Sequence, residues 1–297
     1  MNPLRTLRVA RRKLRLIRSF RLRPEDVVLE VGSGQAPNPR ANVLCDLYVG
    51  DDTERNRNPL ILDRPFVVGD VHELPFRDGS FDYVICSHVL EHVEDPERAA
   101  SELARVAPRG YVEVPSSLNE RMLPFPFHRW VIDADDKGRL VFRGKANREP
   151  DPELAAWFRR LDAECQGWTE FFLDHLEALG NIHALRWEGW PRVRVEGGPG
   201  EAEGSAFDAD FQSVRETLVS GVAVPRSRER TLGVVWSFFR RRSDPRVKLA
   251  SRLACPVCRR GLSTSEKGPH ELVCGRCDRG FPVVDTGRYS VPVLLRR

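Results

Sequence analysis

At 297 residues the chain has room for about two domains and a large core. Its longest apolar runs, such as 83–86 and 233–236, are too short for a membrane-spanning helix. The net charge of +4 hides a split: nine Lys/Arg against one acid in residues 1–25, fourteen against five in 239–297, and 24 against 37 between them. An acidic body argues against a nucleic-acid channel through the middle of the chain, while either basic end suits an anionic surface. The basic N-terminus lacks the unbroken apolar segment of a secretory signal, which predicts a cytoplasmic protein.

Leu7, Ala10, Leu14 and Ile17 step by three or four positions with arginines on the remaining faces. This predicts an amphipathic helix over 1–24, either packed on the body by its leucines or lying peripherally on anionic lipid or nucleic acid. Residues 26–31 then read as a short buried strand carrying Glu30 near its end, followed by the spaced glycines Gly32 and Gly34. Glycine there permits a tight turn with positive φ and leaves no Cβ in the way of a ligand. Pro37 and Pro39 leave no room for a full helix before the next apolar run at 42–49. A phosphate cradle needs a helix N-terminus behind its glycines, and neither a third glycine nor a P-loop Lys-Ser/Thr follows. The turn therefore reads against a dinucleotide. Asp46 sits near the end of the second strand, where a carboxylate either binds paired ribose hydroxyls or caps a turn.

Further strands are predicted at 65–70, 81–87 and 111–115, with a helix from about Pro96 to Val106 bearing Ala99, Leu103 and Val106 on one face. Strands alternating with short connections and helices predict an α/β fold, a Rossmann-like, mostly parallel sheet flanked by helices. Glu30, Asp46 and Asp70 then fall at carboxyl ends of three strands, where open α/β sheets bind ligands.

Taken in order, Val28-Leu29-Glu30-Val31-Gly32-Ser33-Gly34, Asp46, Gly69-Asp70-Val71-His72-Glu73-Leu74-Pro75-Phe76, Ser80-Phe81-Asp82-Tyr83-Val84 and Leu90-Glu91-His92-Val93 resemble the motifs of class I S-adenosylmethionine-dependent methyltransferases of type 11, over roughly residues 25–116. The resemblance implies that Glu30, Gly32 and Gly34 line the methionine side of the cofactor, Asp46 the ribose, and Asp70 and Val71 the adenine. Ser87 and His88 would close the site at the end of the fourth strand. The shortened connection behind Gly34 departs from the commonest family pattern and bears most on Asp46. A sulfonium ligand is cationic, so carboxylates and close backbone suit it better than a phosphate cradle. Methyl transfer by displacement needs alignment, with a base only where the acceptor must lose a proton. The candidates for that role are His88 and His128, the latter in the aromatic segment 125–130, which reads as a lid over the acceptor or as a packed loop. His92 reads as structural.

Residues 150–195 carry helical periodicity and then a strand at 193–195; 197–204 reads as a mobile Gly/Glu-rich loop, 207–239 as helix with a turn near Pro225, and 240–245 as a linker. The main domain is thus expected over 25–245. Beyond the linker, Cys255-Pro-Val-Cys258 and Cys274-Gly-Arg-Cys277 have the spacing of two knuckles that converge tetrahedrally on Zn2+, with a full thiolate shell that makes the metal structural. This β-rich module, placed at 250–297, resembles the zinc-ribbon family of methyltransferase activators through Cys255 to Cys258, Leu272 to Cys277, Phe281 to Asp285 and Val291 to Leu295. The segment 285–289 departs from that family's closing pattern. A rival reading has the ribbon bind nucleic acid through Arg259, Arg260, Arg276 and Arg279.

The sequence thus points to a methyltransferase using S-adenosyl-L-methionine on oxygen or nitrogen of a small-molecule, lipid or glycan acceptor. Two alternatives stand beside it: a tRNA or rRNA methyltransferase recruited by the basic ends, and a non-catalytic regulatory protein on the same fold.

Overall fold

The computed structural model describes residues 20–50, 55, 58–145, 151–165, 168, 171–172, 175–200, 211–220, 247–266, 268–287 and 289–296. The helix expected over 1–24 lies outside these up to residue 19, as do the linker at 240–245 and all of 207–239 except Phe211–Ser220. In chain order the strands are β1 (Val28–Val31), β2 (Val43–Asp46), β3 (Phe66–Val68), β4 (Tyr83–Ser87), β5 (Arg109–Pro115), β6 (Trp130–Ala134), β7 (Leu140–Gly144), β8 (Ile182–Glu188), β9 (Val193–Glu196), β10 (Ser263–Ser265), β11 (Gly268–Cys274), β12 (Arg279–Asp285) and β13 (Ser290–Pro292). The helices are α1 (Pro96–Val106), α2 (Ser117–Met122), α3 (Pro152–Glu164), α4 (Phe211–Ser220) and α5 (Leu249–Arg252). The chain divides into two compact units, residues 1–85, 102–110 and 207–297, and residues 86–101 and 111–206.

A mostly parallel six-stranded sheet has the order β3-β2-β1-β4-β5-β8; β4 and β5 run from the first unit into the second. In the first unit β1, β2 and β3 are buried at every position, as strands of a parallel sheet covered on both faces must be. β1 pairs parallel with β2, Leu29 opposite Val43, and β2 with β3, Leu44 opposite Phe66. No helix joins β1 to β2, in keeping with the two prolines. The buried Arg64 holds that connection instead, donating from Nη1 to the carbonyls of Asn38 and Ala41 at 2.7 Å each.

The ribbon forms its own antiparallel sheet, β10-β11-β12-β13, with Leu272 opposite Phe281 and Val284 opposite Val291. Helix α4 packs on β12, burying Val214 and Leu218. The ribbon is also seated on β3 and on the segments at 63 and 75–76 beside it. Val293 forms a parallel bridge with Val68 and the Leu294 amide donates to the Val68 carbonyl at 2.9 Å, so the ribbon covers the free edge at β3. Leu253 bridges Phe76, the Ala254 amide donates to Pro75 at 2.9 Å, and the Tyr289 hydroxyl to Asp63 at 2.6 Å. Leu253, Ala254, Val293 and Leu294 are all buried, which supplies the apolar part of the contact.

In the second unit β6 and β7 pair as an antiparallel hairpin around a turn at 135–139, and β9 adds parallel to β7. Helix α1, whose residues 102–106 belong to the first unit, matches its predicted bounds; Asp95 Oδ1 accepts from the Arg98 amide at 2.9 Å, Pro96 opens the first turn, and Ala99, Leu103 and Val106 are buried. Helix α3 starts on an Asp151 cap and buries Phe158 with Met122 and Phe172. Two expectations are corrected here. The segment 125–130 is no open lid, because the Arg129 amide donates to Glu91 at 2.8 Å and Trp130 Nε1 to the Val93 carbonyl at 2.7 Å. The described start of the 197–204 loop is also pinned, with the Gly200 amide donating to Arg129 at 3.0 Å. A Cβ at Gly200 would lie 2.5 Å from the Lys145 carbonyl oxygen, so only glycine fits.

Candidate active site

In the first unit the turn after β1 brings together Glu30, Gly32, Gly34 and Asp46. Gly32 has φ 72° and donates its amide to Cys45 at 2.8 Å; Gly34 has φ 49° and donates to Asp46 Oδ2 at 2.9 Å. A side chain at either glycine would be strained in that left-handed backbone. Glu30 is buried, with Oε2 accepting from the Asn38 amide at 2.6 Å. Burial pushes its carboxyl up to about 8, although the Asn38 N–H and the Arg64 guanidinium pull the other way. Asp46 is raised by burial too, against the Gly34 N–H and Arg55. Arg55, itself buried, caps the carbonyls of Tyr48 and Val49. This turn thus carries two buried acids short of compensating charge beside half-buried glycines, which suits a ligand bearing a positive charge.

Asp70 follows β3 and caps the short 3-10 turn Val71–Glu73, its Oδ1 accepting from the His72 amide at 2.8 Å and lying 2.7 Å from His72 Nδ1. Its side chain is 38% exposed, so the carboxylate is open to a ligand while it caps. Val71 is buried beneath it.

In the second unit Ser87 ends β4 and His88 follows with φ 55°, a strained left-handed conformation for a residue with a side chain. The His88 amide donates to the Glu113 carbonyl at 2.8 Å, and its ring lies 3.2 Å from both Glu91 Oε1 and Glu113 Oε1. Burial opposes charge on this ring, but hydrogen bonds to Glu113 and Glu91 outweigh it and push His88 up to about 10. The side chain is 50% exposed, so water screens part of that pull. With one ring nitrogen on Glu91 and the other on Glu113, His88 as placed has neither nitrogen turned to an acceptor, unlike the base expected of it. Tyr111 gives its hydroxyl to Glu113, and burial raises the phenol above its ordinary range.

His128 is buried, with Nδ1 2.6 Å from Glu120 Oε2; Glu120 Oε1 takes the Lys145 ammonium at 2.5 Å, and Lys145 also donates to the Phe125 carbonyl at 2.8 Å. Such a ring is withdrawn from solvent and does not stand open to an acceptor, which corrects the lid-borne base. His92 packs edge-on to His128 with ring centroids 4.9 Å apart and stacks on Phe127. Burial brings His92 down to about 4, so its ring is neutral. Glu113, Glu120 and Lys145 gave no signal in the sequence, because the network they join closes only in the fold, Glu113 on His88 and Lys145 on Glu120 from 25 residues away. Glu91 stood inside a quoted motif, but nothing local marked it as the carboxylate that joins His88 to His92.

The ribbon cysteines Cys255, Cys258, Cys274 and Cys277 have their sulfurs within 4.8 Å of one another. Sulfurs tetrahedral at a Zn–S distance of about 2.3 Å stand about 3.8 Å apart, so the four fit one ion. Of the arginines in the nucleic-acid reading, Arg259 is bonded to the buried Glu102 at 2.7 Å.

Residues 29–113 match the family model described as Methyltransferase domain, and residues 246–285 match that of Trm112p-like protein. The chain is similar to a demethylmenaquinone methyltransferase of Streptomyces avermitilis, 35% identical over 111 residues that cover 35% of this chain and 47% of that protein. It is also similar to a ubiquinone biosynthesis O-methyltransferase of Xanthomonas oryzae, 35% identical over 91 residues, 30% of this chain and 37% of that one. The chain thus spans less than half the length of these curated relatives. Among solved structures, a complex of the Haloferax volcanii Trm112 methyltransferase activator with a methyltransferase aligns at 22% identity over 36% of this chain and 54% of that chain, with a TM-score of 0.30. No described helix is long and apolar enough to cross a membrane.

Proposed function

From the premise of a methyltransferase domain and a Trm112p-like domain in one chain, we propose an S-adenosylmethionine-dependent methyltransferase acting on oxygen or nitrogen of a small-molecule, lipid or glycan acceptor. We place the two domains at 25–245 and 250–297. The observation that carries this reading is the buried pair Glu30 and Asp46 around the Gly32–Gly34 turn, with no helix behind it to cradle phosphate. When bound, S-adenosylmethionine supplies a methyl group on a cationic sulfonium.

In this reading the chain's own residues bind and orient. Glu30 gives up its proton when an ammonium group arrives and then holds it as a carboxylate. Gly32 and Gly34 let the cofactor approach the backbone. Asp46 takes the ribose hydroxyls with its orientation already set by the Gly34 amide, and Asp70 and Val71 take the adenine. Ser87, at the end of β4, belongs with the cofactor residues, and His88, its ring held by Glu91 and Glu113, closes the site beside it. The names of the relatives, which refer to quinone precursors, support a small-molecule acceptor. The RNA alternative loses support where Arg259 is bonded to Glu102. In the ribbon the four cysteines would hold a structural Zn2+, since four thiolates leave no open position.

The test is transfer of labelled methyl from S-adenosylmethionine by the full chain to fractionated metabolite and lipid extracts and, in parallel, to total RNA. Label in a small-molecule or lipid fraction is expected. Label confined to RNA would overturn the acceptor class, and cofactor binding without transfer to any fraction would favour a regulatory protein.

A further inference from the structure

The second unit holds a second group of side chains suited to metal, distant in chemistry from the cysteines. Glu91, His92 and His128 each offer one ligand atom, and the three atoms lie within 4.8 Å of one another. We propose that Glu91, His92 and His128 form a site for one divalent transition-metal ion, of the zinc type, separate from the cysteine site of the ribbon.

Four observations carry this. Glu91 is wholly buried, yet its Oε2 has no hydrogen-bond partner while Oε1 takes His88 at 3.2 Å. A buried carboxylate oxygen left without a donor is costly, and a cation is the ligand that relieves it. His128 has its Nδ1 committed to Glu120 at 2.6 Å, which leaves Nε2 as the lone-pair nitrogen. That carboxylate–histidine arrangement orients and strengthens a metal-bound imidazole, and Lys145 in turn fixes Glu120. The His92 ring is likewise held in place, stacked on Phe127 with ring centroids 5.5 Å apart. Finally, the two rings stand at 82° to each other, as ligands on different corners of a coordination shell do. The cations near the cluster are already paired: His88 with Glu113 and with Glu91 Oε1, Lys145 with Glu120, and Arg129 with Glu94 at 3.8 Å.

Two imidazoles and one carboxylate are a borderline set that suits zinc, iron or manganese rather than calcium, and three protein ligands leave a position for water. The cysteine ribbon would hold its ion with four soft thiolates, so the two sites differ in both ligand type and openness. The inference does not depend on the methyltransferase reading.

The experiment loads the metal-stripped full chain, uniformly labelled with nitrogen-15, with cadmium-113 as the visible stand-in for zinc. Two cadmium signals are expected, one from the all-thiolate ribbon and one from a nitrogen–oxygen site, the second coupled to the ring nitrogens of two histidines. Glu91→Gln should lose the second signal and keep the first, which also reports a folded ribbon. A single cadmium signal from the wild type, a second signal without coupling to two histidine rings, or its persistence in Glu91→Gln would each overturn the proposal. Should Glu91→Gln lose both signals, the couplings in the wild-type protein decide alone.

Discussion

Glu30 and Glu91 are both carboxyls taken out of water, and their surroundings send them in opposite directions. Glu30 meets one backbone amide and a distant guanidinium, so burial wins and its pKa climbs to about 8. Glu91 is buried at least as deeply, yet the His88 hydrogen bond carries it below the ordinary carboxylate range. Burial alone therefore does not decide the charge of an acid; the number of cations within reach does. A region of the first kind is under-compensated and waits for a charged ligand. A region of the second kind is already a network of paired charges, and removing one partner leaves another stranded.

The contrast is sharpest in Glu120→Gln. With its carboxylate removed, Lys145 keeps a buried ammonium without a counter-charge, and the cost should be about 3–5 kcal/mol, read as a fall in the denaturation midpoint. A loss below about 1 kcal/mol would show that the second region is no more tightly paired than the first. Glu30→Gln should do the reverse. Its fold should be no less stable, while S-adenosylmethionine binding measured by calorimetry weakens about 10- to 100-fold, the value of a charge-assisted hydrogen bond of about 1.5–3 kcal/mol. Unchanged affinity would break the assignment of this acid to the cationic end of the ligand.

A pH series refines the same point. Because the folded state holds the Glu30 proton up to about 8 against an ordinary value of 4.5, the unfolded chain releases that proton first as pH rises. Stability of the ligand-free protein should therefore fall between about pH 4.5 and 8, by at most about 1.4 kcal/mol per unit from this group, and the fall should level off above that window. Glu30→Gln should remove that component of the slope; an identical slope in the variant would place the titration elsewhere. The smallest effect belongs to Asp70→Ala. Loss of the cap on the Val71–Glu73 turn should cost about 1 kcal/mol, and cofactor affinity should fall about tenfold. A loss of stability with full affinity would leave Asp70 a capping residue only.

What could be read from the sequence was local. The β1–glycine turn, the prolines behind it, α1 and the two Cys-x-x-Cys knuckles each lie within a dozen residues, and pattern or spacing sufficed to find them. The β6–β7 hairpin is masked in the sequence: Trp130 and Ile132 alternate with more exposed neighbours, but the aromatic run 125–130 that leads into them has the composition of a loop. The roles of His88 and His128 were out of reach for a different reason. Their hydrogen bonding and accessibility are set by Glu113 and Glu120, whose proximity exists only once β5 and α2 have formed. The same holds for Arg64, which replaces a missing helix by bonding two carbonyls more than 20 residues earlier.

The seating of the ribbon on β3 also has a consequence for synthesis. Tyr289 bonds a carbonyl 226 residues before it, and Val293 and Leu294 complete the same edge. At about 5–20 residues per second, some 10–45 s pass on the ribosome between the emergence of β3 and the segment that covers it. For that interval a strand with unpaired amides and carbonyls is open to any passing extended chain. The nascent protein therefore has a period of exposure built into its order of translation, and its yield should depend on what shields that edge until the ribbon arrives.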